Sequence, residues 1–250
     1  MINVIAHRGA NKVAPQNTVP AFRKAIELGA NGFENDVHFT KDGKIVICHN
    51  HDIDETSNGK GPISDYTFDE LRKFDFGSYF SEDFAGTQIP SLEEFLDLCG
   101  GLDVINIEIK SPRVVLGDIS KATIDMVKSF GLFDKLIISS FDENILLRCK
   151  EVDPAVKTGL LYSTNSLHIE EIAEDYVGYA KSIGADALHP LAVFVDKEYI
   201  EKCHEAGLIV NPWTVNKDFF IESLCDWGCD GVITDIPDLA REIANEKFGE

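Results

Sequence analysis

The stretch Val104–Lys110 reads VINIEIK, in which isoleucine alternates strictly with polar residues. Such alternation is typical of a β-strand, because successive side chains on a strand point to opposite faces. The three isoleucines would form one apolar face, and Asn106, Glu108 and Lys110 would share the other. In a barrel of parallel strands the apolar face packs against a layer of helices. We therefore expect a barrel strand whose polar side chains point inward.

Short apolar runs of this kind alternate with amphipathic helical segments over the whole chain. The predicted strands are Asn3–Ala6, Gly32–Asp36, Val104–Ile109, Lys135–Ser139, Lys157–Leu161, Ala185–His189, Leu208–Trp213 and Gly231–Thr234. The predicted helices lie near Thr18–Leu28, Ser91–Cys99, Leu116–Phe130, Glu143–Lys150, Ile169–Ile183, Lys197–Ala206, Lys217–Cys225 and Asp238–Lys247. Strict alternation of eight strands with eight helices favours a TIM (β/α)8 barrel of the α/β class. A doubly wound open sheet is the alternative, although such a sheet has no reason to stop at eight strands.

One long interruption follows the second predicted strand. Between about residues 41 and 90 the chain contains the turn sequence Asp42-Gly43, the apolar run Ile45–Cys48 and a glycine-rich polar stretch. We interpret this segment as an insertion after strand 2 that stands over the carboxyl end of the barrel. Its aromatic residues favour an ordered insertion. No linker or second core is visible, so residues 1–250 are predicted to form a single TIM-barrel domain.

The composition is that of an ordinary globular protein with a strong excess of negative charge. Of the 250 residues, 44% are hydrophobic and 26% are charged, and the formal net charge is −20. Such a field repels nucleic acid and anionic lipid, so we expect no nucleic-acid partner and no stable membrane association. A small phosphate ester is compatible with it, because a bound cation and a few basic side chains can reverse the local sign. The oligomeric state is left open.

Six scattered cysteines lie mostly inside apolar runs, without a CxxC pair or zinc-ligand spacing. This pattern favours small buried thiols in a reducing cytosol. The first residues have neither the basic region nor the long apolar core of a signal peptide. These features predict a cytoplasmic protein.

Two carboxylates, Glu34 and Asp36, end the second predicted strand and point to the same face. They repel each other unless a cation lies between them, and oxygen ligands suit one divalent ion, Mg²⁺ or Ca²⁺. Glu108 on the third strand would be a third ligand, and Lys110 would supply a charge for a phosphate oxygen. The alternatives are a solvated acidic loop and a buried Glu–Lys ion pair. Agreement between two neighbouring strands favours the metal site.

Two histidines lie where apolar runs end near these acids. His7 ends the first predicted strand, and His49 ends the apolar run that opens the insertion. Cleavage of a phosphodiester needs one base and one acid near neutral pH, which a pair of imidazoles can supply. Arg8 offers the fork-shaped donor that suits a phosphate. Structural or surface roles are expected for the remaining five histidines, at positions 38, 51, 168, 189 and 204.

These residues belong to a series of motifs that runs through the chain. The motifs are His7-Arg8-Gly9, Pro15-Gln16-Asn17-Thr18, Glu34-x-Asp36, His49 with Asn58-Gly59, Ile89-Pro90-Ser91-Leu92-Glu93, Asn106-x-Glu108-x-Lys110, Ser139-Ser140-Phe141, Trp213-Thr214-Val215-Asn216 and Asp230-Gly231-Val232-Ile233-Thr234-Asp235-x-Pro237. In these motifs and in their order, the chain resembles the glycerophosphodiester phosphodiesterases almost from end to end.

The resemblance implies a TIM barrel with a small insertion after strand 2. It implies metal-dependent hydrolysis of glycerophosphodiesters, such as glycerophosphocholine or glycerophosphoethanolamine, to sn-glycerol 3-phosphate and an alcohol. The roles it implies are an acid/base pair of His7 and His49, metal ligands Glu34, Asp36 and Glu108, and a phosphate and glycerol pocket lined by Arg8, Lys110 and Trp213.

The chain departs from the family's pattern at two positions, where Gln16 and Asn50 replace a glutamate and an aspartate. An amide carbonyl still coordinates a cation, so Gln16 would be a weaker ligand rather than none. Asn50 could not raise the basicity of a histidine that it orients. Two other functions stay open: a phosphodiesterase similar to lysophospholipase D or sphingomyelinase D, and a catalytically weakened barrel that binds a phosphate ester.

Overall fold

The computed structural model describes residues 1–249. The strands are β1 (Asn3–His7), β2 (Gly32–Phe39), β3 (Ile45–Ile47), β4 (Val104–Ile109), β5 (Leu136–Ser140), β6 (Lys157–Tyr162), β7 (Ala187–Pro190), β8 (Ile209–Val210) and β9 (Gly231–Thr234). The helices are α1 (Val19–Glu27), α2 (Phe68–Leu71), α3 (Leu92–Leu96), α4 (Ile119–Ser129), α5 (Glu143–Val152), α6 (Ile169–Glu174), α7 (Tyr176–Ser182), α8 (Lys197–Glu205), α9 (Asp218–Asp226) and α10 (Pro237–Phe248).

Every strand except β3 belongs to one parallel barrel. Hydrogen bonds join these strands in the order β8-β7-β6-β5-β4-β2-β1-β9, and β3 pairs antiparallel with β2 outside this path. Between the two ends of that order, Val215 N donates to Ile233 O (2.9 Å) and Ile233 N donates to Pro212 O (3.0 Å). The segment after β8 therefore closes the gap to β9. This closure confirms the predicted TIM barrel and excludes the open sheet.

The outer faces of the strands pack against the helices as predicted. Ile105, Ile107 and Ile109 of β4 are fully buried in one apolar cluster with residues of α1 and α3. In that cluster the rings of Phe22 and Phe95 meet edge to face, with centroids 4.8 Å apart. Burial of each such side chain contributes about 1.5–3 kcal/mol. With the apolar face fixed outward, the polar residues of the same strand face the barrel interior.

The insertion between β2 and α3 is ordered, as its aromatic residues predict. β3 opens it and pairs Ile47 with Val37 of β2. A separate apolar cluster, which includes Ile53, Leu71 and Phe76, holds the rest of the segment together. The insertion therefore stands on its own small core beside the second strand of the barrel.

Several elements differ from the sequence prediction, and two of these differences are described here. The predicted helix Ile169–Ile183 is divided into α6 and α7, because Asp175 leaves helical geometry and its carboxylate accepts from Gly178 N (2.8 Å). The predicted strand Leu208–Trp213 contracts to the two residues of β8. The segment still follows β7 beyond these two residues, because Asn211 N donates to Leu188 O and Trp213 N donates to Pro190 O (both 3.0 Å).

All six cysteines are free and buried, as predicted. Burial raises the pKa of Cys48 to about 11, so this thiol stays protonated near neutral pH. None of the helices within residues 1–249 is both long enough and apolar enough to cross a membrane.

Candidate active site

The predicted site residues gather at the carboxyl ends of β1, β2 and β4. His7, the last residue of β1, pairs in register with Glu34 of β2. Asp36 pairs in the same way with Glu108 of β4, and Lys110 follows that strand directly. Neighbouring parallel strands end at the same edge of a sheet, so the strand register itself brings these side chains together.

Glu34, Asp36 and Glu108 form a buried acidic cluster, in which one carboxylate oxygen of each lies within 4.8 Å of the others. Burial, followed by the charge of Asp36, raises the pKa of Glu108 to about 7 and that of Glu34 well above its usual range. Burial would also raise the pKa of Asp36, but Lys110 and Arg8 hold it below its ordinary value. Three acids face two basic side chains, and this set of hard oxygen donors fits one divalent cation.

Two basic side chains border the acidic cluster. Lys110 Nζ lies 2.8 Å from Asp36 Oδ1 and 2.5 Å from Glu108 Oε1. Arg8 Nε lies 3.6 Å from Asp36 Oδ2, and Arg8 Nη1 donates to Gln16 Oε1 (2.7 Å). The amide oxygen of Gln16 therefore contacts the guanidinium group of Arg8. Both basic side chains retain some exposed surface, so an anion can reach them.

A tight turn presents Arg8 to the site. The Arg8 backbone is left-handed (φ 58°), and Gly9 follows with φ 77°. A Cβ atom on Gly9 would lie 2.7 Å from the carbonyl carbon of Ala21 in α1, so only glycine fits here. In this turn the Arg8 N–H donates to Glu34 Oε2 (3.0 Å). The turn thus fixes Arg8 between the first helix and the acidic cluster.

His7 is held by a carboxylate from the opposite end of the chain. Its Nδ1 lies 2.7 Å from Asp235 Oδ1, and Asp235 also accepts from Asn11 Nδ2 (2.6 Å) and Asn216 Nδ2 (2.7 Å). An ionised carboxylate only accepts hydrogen bonds, so His7 donates from Nδ1 and its Nε2 remains available. Burial lowers the pKa of His7, although the bond to Asp235 opposes that shift.

Asp235 is a residue for which the sequence analysis predicted no role. Burial would raise its pKa, but the hydrogen bond and the charge of His7 hold the pKa below its ordinary range. The sequence feature that could have indicated a role for Asp235 was its position along the chain. Asp235 directly follows the last predicted strand, which a closed barrel places beside the first.

His49 follows β3 at the start of the insertion and is half-buried. Burial lowers its pKa to about 4, although the charge of Asp36 opposes that shift. Its Nδ1 lies 2.7 Å from Asn50 Oδ1, and Asn50 Nδ2 in turn donates to the carboxylate of Glu55. His49 and His7 line the same pocket.

That pocket has about 460 Å³ of empty space. Of the eight residues predicted for the site, seven line it: His7, Arg8, Glu34, His49, Glu108, Lys110 and Trp213. The eighth, Asp36, is fully buried and pairs with Lys110. On the apolar side the rings of Trp213 and Phe141 meet edge to face, with centroids 5.5 Å apart. The pocket therefore combines charged groups with an apolar wall.

The other histidines do not line this pocket. His189 is fully buried inside the barrel, where its Nε2 lies 3.3 Å from Asn211 Nδ2. His204 pairs with Asp230 at the surface (2.8 Å). These positions agree with the structural or surface roles expected for them.

Comparison with known proteins shows the family of the chain. Residues 7–239 match the model of the glycerophosphoryl diester phosphodiesterase family. A glycerophosphodiester phosphodiesterase of Caldanaerobacter subterraneus subsp. tengcongensis is 40% identical over 236 residues, which cover 94% of each chain.

Two solved structures are similar over nearly the whole chain. One is a glycerophosphoryl diester phosphodiesterase, assigned as putative, from Silicibacter pomeroyi (TM-score 0.88, 26% identity, 98% of this chain and 94% of the other). The second is a phosphodiesterase from Oleispira antarctica in complex with its product sn-glycerol-3-phosphate (TM-score 0.87, 27% identity, 97% and 96% of the chains). The chain therefore belongs to the glycerophosphoryl diester phosphodiesterase family of enzymes.

Proposed function

We propose that this enzyme hydrolyses glycerophosphodiesters, such as glycerophosphocholine or glycerophosphoethanolamine, to sn-glycerol 3-phosphate and an alcohol. The observation that carries the proposal is the single pocket in which two histidines meet the acidic cluster and its two basic neighbours. The product bound to the Oleispira antarctica relative supports the same substrate class. We also infer that residues 1–250 form one domain, with the insertion at about 41–90 contributing His49 to the site.

Glu34, Asp36 and Glu108 would hold one divalent cation, Mg²⁺ or Ca²⁺. Such a cation supplies a Lewis acid that lowers the pKa of a coordinated hydroxyl or water. The close approach of the three carboxylates supports this assignment, because one oxygen of each lies within 4.8 Å of the others. Burial, followed by the charge of Asp36, raises the pKa of Glu108 to about 7, and a cation would relieve the repulsion between these groups. The carboxylates would also orient Lys110, which contacts two of them.

His7 and His49 would move the protons. Burial lowers the pKa of both imidazoles, so in the free enzyme each is a neutral base near pH 7. An anionic phosphodiester bound between them would raise both pKa values and so permit one imidazole to act as the acid. The carboxylate of Asp235 would stabilise His7 after it accepts a proton, because the two groups share a hydrogen bond of 2.7 Å.

Arg8, Lys110 and Trp213 would hold the substrate. The two cations lie at the border of the acidic cluster and would balance the charge that develops on the phosphate oxygens. Trp213 would pack against the glycerol carbons, since its ring already forms the apolar wall with Phe141.

The test is release of sn-glycerol 3-phosphate from glycerophosphocholine by purified enzyme. Chelation should abolish release, and Mg²⁺ or Ca²⁺ should restore it. His7→Ala should lower kcat by about 10²–10⁴-fold without unfolding the protein. Near-normal turnover by folded His7→Ala would refute the acid/base assignment. Faster turnover of lysophosphatidylcholine would favour the lysophospholipase D-like activity, and metal-independent ligand binding without turnover would favour the weakened binding barrel.

A further inference from the structure

Asn50 stands between a histidine of the pocket and a carboxylate of the insertion. Asn50 Oδ1 lies 2.7 Å from His49 Nδ1, and Asn50 Nδ2 donates to Glu55 Oε2. Glu55 and Asn50 both line an open groove that continues from the pocket, with His49 and Lys110 common to the two. One side-chain amide thus links the imidazole to a negative charge.

The chemistry of Glu55 fixes the direction of this chain of hydrogen bonds. An ionised carboxylate has no proton to give, so the Asn50 atom that faces it must be the NH2 group. The carbonyl oxygen of Asn50 must then face His49. A carbonyl only accepts, so His49 Nδ1 must carry the hydrogen, and the proton-free nitrogen of the neutral ring is Nε2.

We propose that Glu55 is a positioning residue that acts through Asn50 to hold His49 in the tautomer whose Nε2 lone pair is free for catalysis. The proposal deepens the proposed function, on which the role of His49 rests. Glu55 does not touch the reacting atoms in this scheme. It sets which of the two His49 nitrogens can accept or deliver a proton.

The arrangement gives both histidines the same tautomer by different means. His7 donates from Nδ1 directly to the carboxylate of Asp235 (2.7 Å). His49 donates from Nδ1 to an amide that is itself oriented by a carboxylate. With Asn50 in place of the family's aspartate, the negative charge therefore lies one side chain further from the His49 ring, on Glu55. The direction of the hydrogen bond from His49 Nδ1 is unchanged.

The Glu55→Gln variant tests this direction. A glutamine can donate as well as accept, so Asn50 becomes free to turn over and present its NH2 group to His49. We expect kcat with glycerophosphocholine to fall about tenfold while KM stays within twofold, because proton transfer and not binding is affected. The matched control is Glu82→Gln, which removes the charge of an exposed glutamate in the same insertion and should leave kcat unchanged.

A double variant separates the effect on the hydrogen-bond chain from any effect of Glu55→Gln on the stability of the insertion. In Asn50→Asp/Glu55→Gln an aspartate accepts directly from His49 and the glutamine can donate to it, so kcat should return to within about threefold of the wild-type value. Asn50→Asp alone brings its carboxylate against that of Glu55, so the kcat of this single variant should stay below the wild-type value. Failure of the double variant to recover, with an unchanged melting temperature, would overturn the proposal.

The tautomer itself can be measured without turnover. The protonated and unprotonated ring nitrogens of a neutral imidazole have well-separated ¹⁵N shifts, and the His49→Gln variant assigns the His49 signals. We expect Nδ1–H in the wild type and a mixture of tautomers in Glu55→Gln. An unchanged Nδ1–H signal in Glu55→Gln would refute the proposal. The expected shift in a protein that released no sn-glycerol 3-phosphate would support the hydrogen-bond chain and refute only the proposed function.

Discussion

Replacement of Asp235 by asparagine is the sharpest probe of the pocket. The Asp235 side chain accepts from His7 and Asn11 at Oδ1 and from Asn216 at Oδ2, all at 2.6–2.7 Å. An amide offers one oxygen and one NH2 group. Whichever way it is turned, the NH2 group of Asp235→Asn faces another donor, and the negative charge beside His7 is lost.

The size of the effect follows from the burial of this pair. Only 12% of the Asp235 side chain and 14% of that of His7 are exposed, so solvent screens the pair weakly. A hydrogen bond to a charged group contributes about 1.5–3 kcal/mol. Loss of that stabilisation when His7 becomes protonated corresponds to a fall in kcat of about 10- to 100-fold. The melting temperature should fall by a few degrees, because a buried donor is left without an acceptor.

The assay is the initial rate of sn-glycerol 3-phosphate release at saturating glycerophosphocholine and divalent cation. The matched control is Asp226→Asn, since Asp226 pairs with Lys247 at the surface, where 58% of its side chain is exposed. This control should keep full activity. A folded Asp235→Asn variant with kcat within twofold of wild type would show that Asp235 neither orients His7 nor stabilises its protonated form.

Two further predictions concern stability. Burial lowers the pKa of His189 to about 3, so the folded protein resists the proton that the unfolded chain binds below about 6.5. The free energy of unfolding should therefore fall progressively as the pH drops from about 6.5 towards 3. Chemical denaturation at pH 7 and at pH 4.5 should show a smaller fall for His189→Gln than for the wild type. Equal falls in the two proteins would contradict this. Gly9→Ala should lower the free energy of unfolding by about 1–3 kcal/mol and reduce kcat, because its Cβ would lie 2.7 Å from Ala21 and φ is positive. Unaltered denaturation and activity of Gly9→Ala would show that the turn adjusts freely.

The sequence was informative wherever the period of two along a strand decided the structure. The alternation in Val104–Lys110 predicts which side chains pack against helices and which point inward, and the packing of β4 confirms it. The same reasoning predicted that Glu34 and Asp36 lie near Glu108. A buried strand has few alternative registers, because a shift by one residue would turn its apolar face inward.

What the sequence did not predict depends on contacts between distant segments or on single backbone atoms. Asp235 meets His7 because β9 pairs with β1, and only the position of Asp235 after the last predicted strand indicated this contact. The role inferred for Glu55 depends on the side-chain conformation of Asn50. The break between α6 and α7 at Asp175 reflects one added cap, which a periodic pattern does not register.

The pairing of the first strand with the last has a consequence for the synthesis of the enzyme. His7 and Asp235 are separated by 228 positions along the chain. A ribosome-bound chain can form the His7–Asp235 pair only after all the residues between the two positions have been made. A nascent chain that ends before residue 235 lacks the carboxylate that contacts His7 Nδ1, and we expect its imidazole to be free to rotate until β9 pairs with β1.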